Sequence, residues 1–144
     1  MFRKAQISVE HMFILMLAVM ILVPGTVLFY QFAKGSSDQM IASQVKRIGD
    51  ELIKNSDTVY FLGDGSRMTI SLNLPRTLKN ISLENEEIVI TFTTYTGQSE
   101  AVFFPDISIK GYYEGKIAEQ FHTGPIRIMI SNNESTVVLQ EITG

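Results

Sequence analysis

The hydrophobic and polar positions divide the chain into three parts with different periods. The first part is an uncharged apolar run over residues 12–29, which follows a short basic head containing Arg3 and Lys4. At about 1.5 Å of rise per helical residue the run reaches roughly 27 Å, close to the roughly 30 Å hydrocarbon thickness of a bilayer. We therefore expect a membrane-contacting helix whose N-terminus lies in the cytoplasm, because the basic residues precede the span.

The second part, residues 36–55, has the period of an amphipathic helix. Its apolar residues recur on one face at spacings of four, three and four: Ile41, Val45, Ile48 and Leu52. Ser36 and Gln39 have the spacing of a capping box, so a second helical segment is expected there, either continuous with the first or hinged at Gly35. We expect the apolar stripe to pack on the domain that follows. Contact of the stripe with neighbouring subunits is the alternative.

The third part, residues 57–144, has the period of β-strands. Five segments place apolar residues at every second position: Arg67–Leu74, Glu87–Thr94, 106–110, 126–130 and 136–140. Two shorter apolar runs, at residues 59–62 and 101–104, complete the set. Turn-forming residues separate the segments, which favours antiparallel pairing. We expect an α+β fold in which roughly six to eight strands form an antiparallel β-sheet or a small β-sandwich, covered by the helical stripe.

Pro24 and Gly25 interrupt the apolar run. Proline removes an intrahelical hydrogen bond, and its ring clashes with the carbonyl group four residues earlier. The sequence therefore predicts a helix kink or a locally melted turn at this point. In a bundle of helices a kink would help packing, since neighbouring helices shield the freed carbonyl group. A proline with no special role in a membrane helix is the alternative.

Glu10 is a carboxylate at the rim of the apolar run, and the run holds no lysine or arginine to pair with it. An ionised group at membrane depth is costly and marks a functional site by default. A cut between Ala5 and Gln6 would make Glu10 the fifth residue of a new N-terminus with a positive α-amino group. In a bundle of staggered identical helices, the ammonium group of one subunit would then meet Glu10 of its neighbour.

The residues around Glu10 resemble the class III signal peptide of archaeal type IV pilin-like proteins. The resemblance lies in a short motif directly before the apolar run: Lys4, Ala5, Gln6, Ser8 and Glu10. It covers the basic head and the apolar run, and Ile14 stands where the family usually has leucine. Bacterial type IV pilins usually have glycine before the cut and phenylalanine after it, so Ala5 and Gln6 favour the archaeal branch.

The resemblance implies a structural protein. In that family a prepilin-peptidase-like aspartyl protease of the membrane cuts before the glutamine, and the apolar helices pack as the core of a surface filament. It implies a leader over residues 1–5, an N-terminal helix over residues 6–56 and an extracellular β-domain over residues 57–144, which is the lollipop arrangement of a type IV pilin. Within the helix, residues 12–30 would form the transmembrane or filament core and residues 36–55 the amphipathic part. Adhesion or surface interaction would be the role of the filament.

The partners and the location follow from the same resemblance. The partners would be other pilin subunits in a homo-oligomeric helical filament, the prepilin peptidase, an assembly platform with its ATPase, and membrane lipid before assembly. The chain would be a single-pass membrane protein before assembly, with its C-terminal domain outside the cell. After assembly it would belong to a cell-surface filament.

Other interpretations stay open. A minor pilin or pseudopilin of a secretion or uptake system would share every N-terminal feature. An uncleaved single-span anchor carrying a surface binding module needs only the basic head before the helix. An ordinary secretory signal peptide would have an apolar stretch of about 7 to 15 residues followed by small residues at a cleavage site. Here the run is longer, and the residues Tyr30-Gln31-Phe32-Ala33 after it do not form such a site.

The rest of the sequence gives no sign of catalytic, cofactor or metal chemistry. The chain has no cysteine, and neither of its two histidines, His11 and His122, lies in a metal-ligand spacing. No nucleophile elbow, P-loop or dinucleotide fingerprint is present, and Asp64 between two glycines is typical of a hairpin turn. We expect no enzyme activity, no cofactor and no metal site. The net charge of -3 argues against nucleic-acid binding.

Two sequons are candidate sites for N-glycans if the β-domain faces outward. They are Asn80-Ile81-Ser82 and Asn133-Glu134-Ser135. Asn133 lies in a stretch of turn-forming residues, which makes it the easier place for a sugar.

Overall fold

One long helix forms the N-terminal part of the molecule in the computed structural model. The structure describes residues 2–142, with side chains from residue 8 onward. Helix α1 spans Phe2–Leu62 and contains 61 residues. Leu, Met, Ala, Lys and Gln, all good helix formers, recur along it. The α+β fold class expected from the sequence is confirmed, because this helix is followed by two β-sheets.

Helix α1 continues without a break where the sequence predicts interruptions. Its helical backbone includes Pro24 and Gly25, so the locally melted turn is wrong, while a bend at this point stays a prediction. Near the proline, the Thr26 hydroxyl donates a hydrogen bond of 2.8 Å to the Leu22 carbonyl oxygen. Of the two alternatives for the second segment, the helical backbone is continuous through Gly35, and the capping-box residues that follow it lie inside the helix.

The C-terminal end of α1 lies further along the chain than the sequence predicts. Residues 59–62, expected as a short strand, are helical, and Val59 is fully buried. The helix ends at Leu62, and the next residue, Gly63, has a φ of 98°, in the left-handed region that favours glycine at this position. The Ser66 hydroxyl then lies within hydrogen-bond distance of two carbonyl oxygens, 2.7 Å from that of Val59 and 2.6 Å from that of Gly63.

Seven strands follow the helix, within the expected number. Their bounds are β1 Arg67–Leu74, β2 Leu78–Glu84, β3 Glu87–Thr94, β4 Gly97–Phe103, β5 Ile109–Gly111, β6 Gly124–Asn133 and β7 Thr136–Glu141. Strands β1 and β3 have the predicted bounds. Strand β2 has no counterpart among the predicted strands, and β5 begins three residues later than the segment predicted there.

The strands form two sheets. One sheet has four strands in the order β1-β6-β7-β5, and the other has three in the order β2-β3-β4. All neighbours are antiparallel except β5 and β7, which pair in parallel, with Ile109 opposite Val137. The predominantly antiparallel pairing agrees with the expected fold class, and the parallel pair is a feature that the sequence did not predict. A parallel pair needs a long connection, and residues 112–135 supply it through β6.

The second half of the helix packs on the sheets. The compact units of the chain divide between Asp38 and Gln39, so this packing lies within the second unit. The buried core includes one apolar stripe of the helix: Val45, Ile48, Leu52 and Val59. Its strand residues come from both sheets and include Leu72, Ile88, Ile90, Ile128, Ile130, Val137 and Leu139. The prediction that the amphipathic stripe packs on the β-domain is confirmed.

Candidate functional site

The most unusual surface of the molecule is the apolar first half of α1. Seventeen large hydrophobic side chains between Val9 and Phe32 are exposed, from 44% for Leu17 to 76% for Phe32. They are Val9, Met12, Phe13, Ile14, Leu15, Met16, Leu17, Val19, Met20, Ile21, Leu22, Val23, Val27, Leu28, Phe29, Tyr30 and Phe32. Polar residues interrupt this stretch only at Glu10, His11, Thr26 and Gln31, so the apolar side chains lie on every side of the helix rather than along one stripe. We call these seventeen residues the apolar surface.

The size of this surface decides that it cannot remain in water. Complete burial of a fully exposed side chain of this kind is worth about 1.5–3 kcal/mol. These side chains are 44–76% exposed, so covering the whole set is worth on the order of 15–30 kcal/mol. The net stability of a folded domain is only about 5–15 kcal/mol. The apolar surface must therefore be covered by lipid or by other apolar surfaces.

The first half of α1 also meets the requirements of a membrane span. Among the described residues, one helix is long and apolar enough to cross a membrane by length and composition, with a mean hydropathy of 2.6 over its most apolar stretch. This coarser part of the predicted location is supported. At the far end of the run, Lys34 Nζ lies 4.3 Å from the centre of the Tyr30 ring. A lysine and an aromatic ring are typical of a membrane–water interface.

Glu10 lies at the N-terminal rim of the apolar surface. Side chains three and four positions apart share a helix face, so Glu10 lies on the same face as Phe13, Ile14 and Leu17. The Glu10 side chain is exposed, and within the part of the chain whose side chains are described it makes no hydrogen bond or ion pair. When neighbours cover the apolar surface, this carboxylate loses water and needs a charged or hydrogen-bonding partner.

The other residues of the motif give less structural information. Ser8 is exposed on the helix. Lys4, Ala5 and Gln6 belong to the helical backbone of α1, but their side chains lie outside the described residues. The cleavage between Ala5 and Gln6 and the pairing of Glu10 with a new α-amino group therefore stay predictions.

The described residues contain no candidate metal centre. From residue 8 to residue 142, no group of three or more His, Cys, Asp and Glu side chains has a geometry that could hold a metal ion. His122 Nε2 instead lies 2.5 Å from Glu141 Oε1. Asp64 lies in the turn after α1, where its Oδ1 atom accepts a hydrogen bond of 2.8 Å from the Glu134 N–H group. Asp64 therefore lies in a turn, as expected, but this turn joins α1 to β1, so the hairpin expected there is wrong.

The two sequons differ in exposure. Asn133 is exposed at the turn between β6 and β7, next to Glu134 and Ser135, whose φ angles are 50° and 68°. Asn80 is half-buried within β2 and lines a small cavity together with Ile81. Only the first of these asparagines presents its side chain freely to solvent.

Comparisons with known proteins give no further guide to function. None of the protein-family models matches the chain, and no curated protein or solved structure matches it either. The motif before the apolar run and the geometry of the helix and the sheets are therefore the features that point to a function.

Proposed function

We propose that the protein is the structural subunit of a surface filament of the archaeal type IV pilin-like class. The observation that carries the proposal is the exposed apolar surface of α1, which directly follows a motif ending in Glu10. A membrane span alone explains the apolar residues. It does not explain a carboxylate at their rim on a helix that starts with a predicted cleavage motif.

In this proposal the apolar surface changes its surroundings once. Before assembly lipid covers it, and after assembly neighbouring copies of the same helix cover it. Lipid tails are as apolar as leucine side chains, so this exchange yields little net hydrophobic energy. Helix packing and polar pairing then decide which register the subunits adopt.

Glu10 supplies the polar pairing in the proposed filament. Removal of residues 1–5 creates a positively charged α-amino group at Gln6. In a bundle of staggered subunits, that group lies next to Glu10 of a neighbour and neutralises a carboxylate that would otherwise be buried alone. Breaking a buried ion pair by removing one partner costs about 3–5 kcal/mol. Such a loss, repeated at every subunit contact, is enough to prevent assembly.

The remaining parts of the proposal follow from the resemblance. A prepilin peptidase removes the leader, and an assembly platform with its ATPase extracts the subunit from the membrane. The β-domain, formed by strands β1 to β7, then lies on the outside of the filament and provides adhesion or surface interaction. A minor subunit would differ from a major one in abundance within purified filaments.

The experiment that tests this function uses Glu10→Ala as the only copy of the subunit in its native cell. We expect normal removal of the leader but at least a tenfold loss of filaments seen by electron microscopy of the cell surface. Glu100→Ala, which removes an exposed carboxylate of β4, is the matched control and should assemble normally. Normal filaments from the Glu10 variant would contradict the pairing, and the absence of filaments from wild-type cells would contradict the function.

A further inference from the structure

A shallow cleft opens beside the turn that follows β5. It has a volume of about 460 Å³, within the usual range of about 300–1,000 Å³ for ligand sites. Its lining residues are Tyr112, Tyr113, Glu114, Lys116 and Glu119. A smaller depression of about 230 Å³ shares Tyr113 and Glu119 with it and extends the cleft to His122 and Glu141. The cleft lies entirely within the β-domain.

The turn that carries the tyrosines is held tightly. Tyr113 and Lys116 exchange both backbone hydrogen bonds, of 3.1 Å and 2.8 Å. The two residues between them, Glu114 and Gly115, have φ angles of 46° and 83°. Positive φ angles at both central residues are typical of a two-residue hairpin turn, and the turns at Asn85–Glu86 and Glu134–Ser135 have them as well.

The surroundings of this turn enforce its conformation from both sheets. The Tyr112 N–H group donates to the Leu139 carbonyl oxygen of β7 at 3.0 Å, and the Leu83 N–H group of β2 donates to the Gly115 carbonyl oxygen at 2.6 Å. A Cβ atom on Gly111 would lie only 2.6 Å from backbone atoms of Lys116, so the chain approaches itself closely here. The backbone of the cleft is therefore fixed before any ligand arrives, which lowers the cost of binding.

The aromatic groups of the cleft supply a flat apolar surface with polar edges. Tyr112 is 59% exposed, and its ring lies 5.0 Å from the Tyr113 ring at an angle of 81°. Tyrosine is enriched where proteins bind partners, because it combines contact area with a hydroxyl group. The face of such a ring accepts the C–H side of a sugar ring.

The charges of the cleft are mixed rather than of one sign. Glu114 and Glu119 face a region that also contains Lys116, while the carboxylate of Glu141 is already engaged by His122. An anionic ligand would be repelled by Glu114 and Glu119, which outnumber Lys116, whereas a cationic ligand would be repelled by Lys116 alone and is the competing ligand class. A neutral ligand with many hydroxyl groups suits both kinds of charge, since hydroxyl groups donate to carboxylates and accept from an ammonium group.

We propose that the cleft formed by Tyr112, Tyr113, Glu114, Lys116 and Glu119 binds a neutral oligosaccharide. The ring of Tyr112 stacks on one sugar, and the charged side chains hydrogen-bond its hydroxyl groups. This inference names the ligand class for the surface role of the β-domain. It holds for an assembled subunit or for a membrane-anchored chain, so it can succeed or fail independently of filament assembly.

The test is isothermal titration calorimetry of the full chain in phospholipid nanodiscs, which avoid detergents with sugar headgroups. The probes are cellohexaose, maltohexaose, chitohexaose and mannohexaose, with hexalysine as a cationic probe. We expect saturable binding of at least one saccharide. We expect Tyr112→Ala to weaken it about tenfold, equivalent to about 1.4 kcal/mol. Tyr112→Phe keeps the ring and should remain within about threefold of wild type.

Two further variants make the result specific. Tyr95→Ala removes an exposed tyrosine outside the cleft and should leave the affinity unchanged. Glu119→Gln alters an exposed cleft residue and should weaken binding several-fold, even if Tyr112→Ala fails to fold. The proposal is overturned if none of the four saccharides binds, if neither Tyr112→Ala nor Glu119→Gln weakens binding, or if hexalysine binds more tightly than every saccharide.

Discussion

At the scale of single residues, Asp57 is the carboxylate that the fold stabilises least. Its Oδ1 atom is buried and has no hydrogen-bond partner among the described residues. Burial raises the pKa of Asp57 above its ordinary value of 3.8, and repulsion by the nearby Asp106 carboxylate raises this pKa further. In the acid range the folded chain therefore holds the Asp57 proton more strongly than the unfolded chain does. The contribution of Asp57 favours folding below pH 3.8 and is lost as the pH rises through its folded-state pKa.

This pH dependence of stability leads to a prediction for Asp57→Asn. Asparagine carries no charge, so the variant should be more stable than wild type at neutral pH. It should also lack the loss of stability that Asp57 causes in the wild type as the pH rises from the acid range. Asp106→Asn removes only the repulsion by Asp106, which is the smaller cause of the raised pKa of Asp57. It should therefore increase the stability at neutral pH by a smaller amount. The unfolding temperature, followed by circular dichroism across the acid and neutral range, measures both effects. A lower unfolding temperature of Asp57→Asn at neutral pH would contradict the assignment.

The sequons give a second prediction at this scale. We expect N-glycan occupancy at Asn133 and not at Asn80, because Asn133 is exposed in a turn whereas Asn80 is half-buried and paired with Thr91 of β3. Mass spectrometry of glycopeptides from protein isolated from its native cell measures the occupancy of each site. Ser135→Ala destroys the Asn133 sequon and should remove the glycan. Equal or greater occupancy at Asn80 would show that modification precedes folding.

At the scale of elements, the strands whose apolar and polar residues alternate strictly were predicted well, and those with an interrupted alternation were not. Strands β1 and β3 alternate without interruption and have the expected bounds. Strand β2 was missed because its register shifts between Leu78 and Asn80, so its buried residues fall at 78, 81 and 83 rather than at every second position. A β-bulge of this kind inserts one residue and hides the alternation.

The end of α1 was misjudged for a similar reason. The buried positions of the helix continue past Leu52 through residue 56 to Val59, but residue 56 is a serine. A serine at position 56 ends the apolar stripe in the sequence pattern. The short apolar run that follows it is then typical of a strand. In the structure the Ser56 hydroxyl is buried and has no hydrogen-bond partner among the described residues. The helical spacing of the buried positions, rather than the type of residue at each one, therefore determines that this segment is a helix.

Contact between α1 and β4 leads to a prediction about two glycines of the helix. The Phe103 ring of β4 packs on Gly49 so closely that a Cβ atom there would overlap it, whereas Gly35 has no atom within 4 Å of such a position. Alanine favours a helix by about 1 kcal/mol, but overpacking of a core contact costs about 1–3 kcal/mol. Gly49→Ala should therefore lower the free energy of unfolding, by about 1–2 kcal/mol where the ring cannot adjust.

Gly35→Ala is the matched control for this prediction. It should leave the stability of the β-domain unchanged or raise it slightly, because the added methyl group meets nothing. Chemical denaturation of the full chain, followed by circular dichroism, compares the two variants. A Gly49→Ala variant as stable as the Gly35→Ala variant would show that Phe103 moves aside without cost.

At the scale of the whole molecule, local patterns predicted the kinds of element but not every partner. The parallel pairing of β5 with β7 joins residues far apart in the chain, and no local period encodes it. The same limit applies to the candidate sites. The apolar surface and Glu10 are contiguous in the sequence and were found there. The cleft was missed, because its shape depends on how β2 and β7 hold the turn after β5.

The apolar surface governs the function of the whole molecule. The free energy gained by covering this surface exceeds the free energy of unfolding of an ordinary domain. The protein must therefore lie in a membrane, in an assembly of subunits, or first in one and then in the other. The motif before it, with Glu10 at the rim, favours the third possibility. Removal of the leader is the step that separates a filament subunit from a permanently anchored protein.

The most direct measurement is therefore the N-terminal residue of the mature protein. Mass spectrometry of the N-terminal peptide, from isolated membranes and from material shed from the cell surface, identifies it. We predict a start at Gln6, which supplies the α-amino group that Glu10 needs. A start at Met1 or Phe2 would contradict the proposed function, because the chain would then be a plain membrane anchor and Glu10 would have no partner charge.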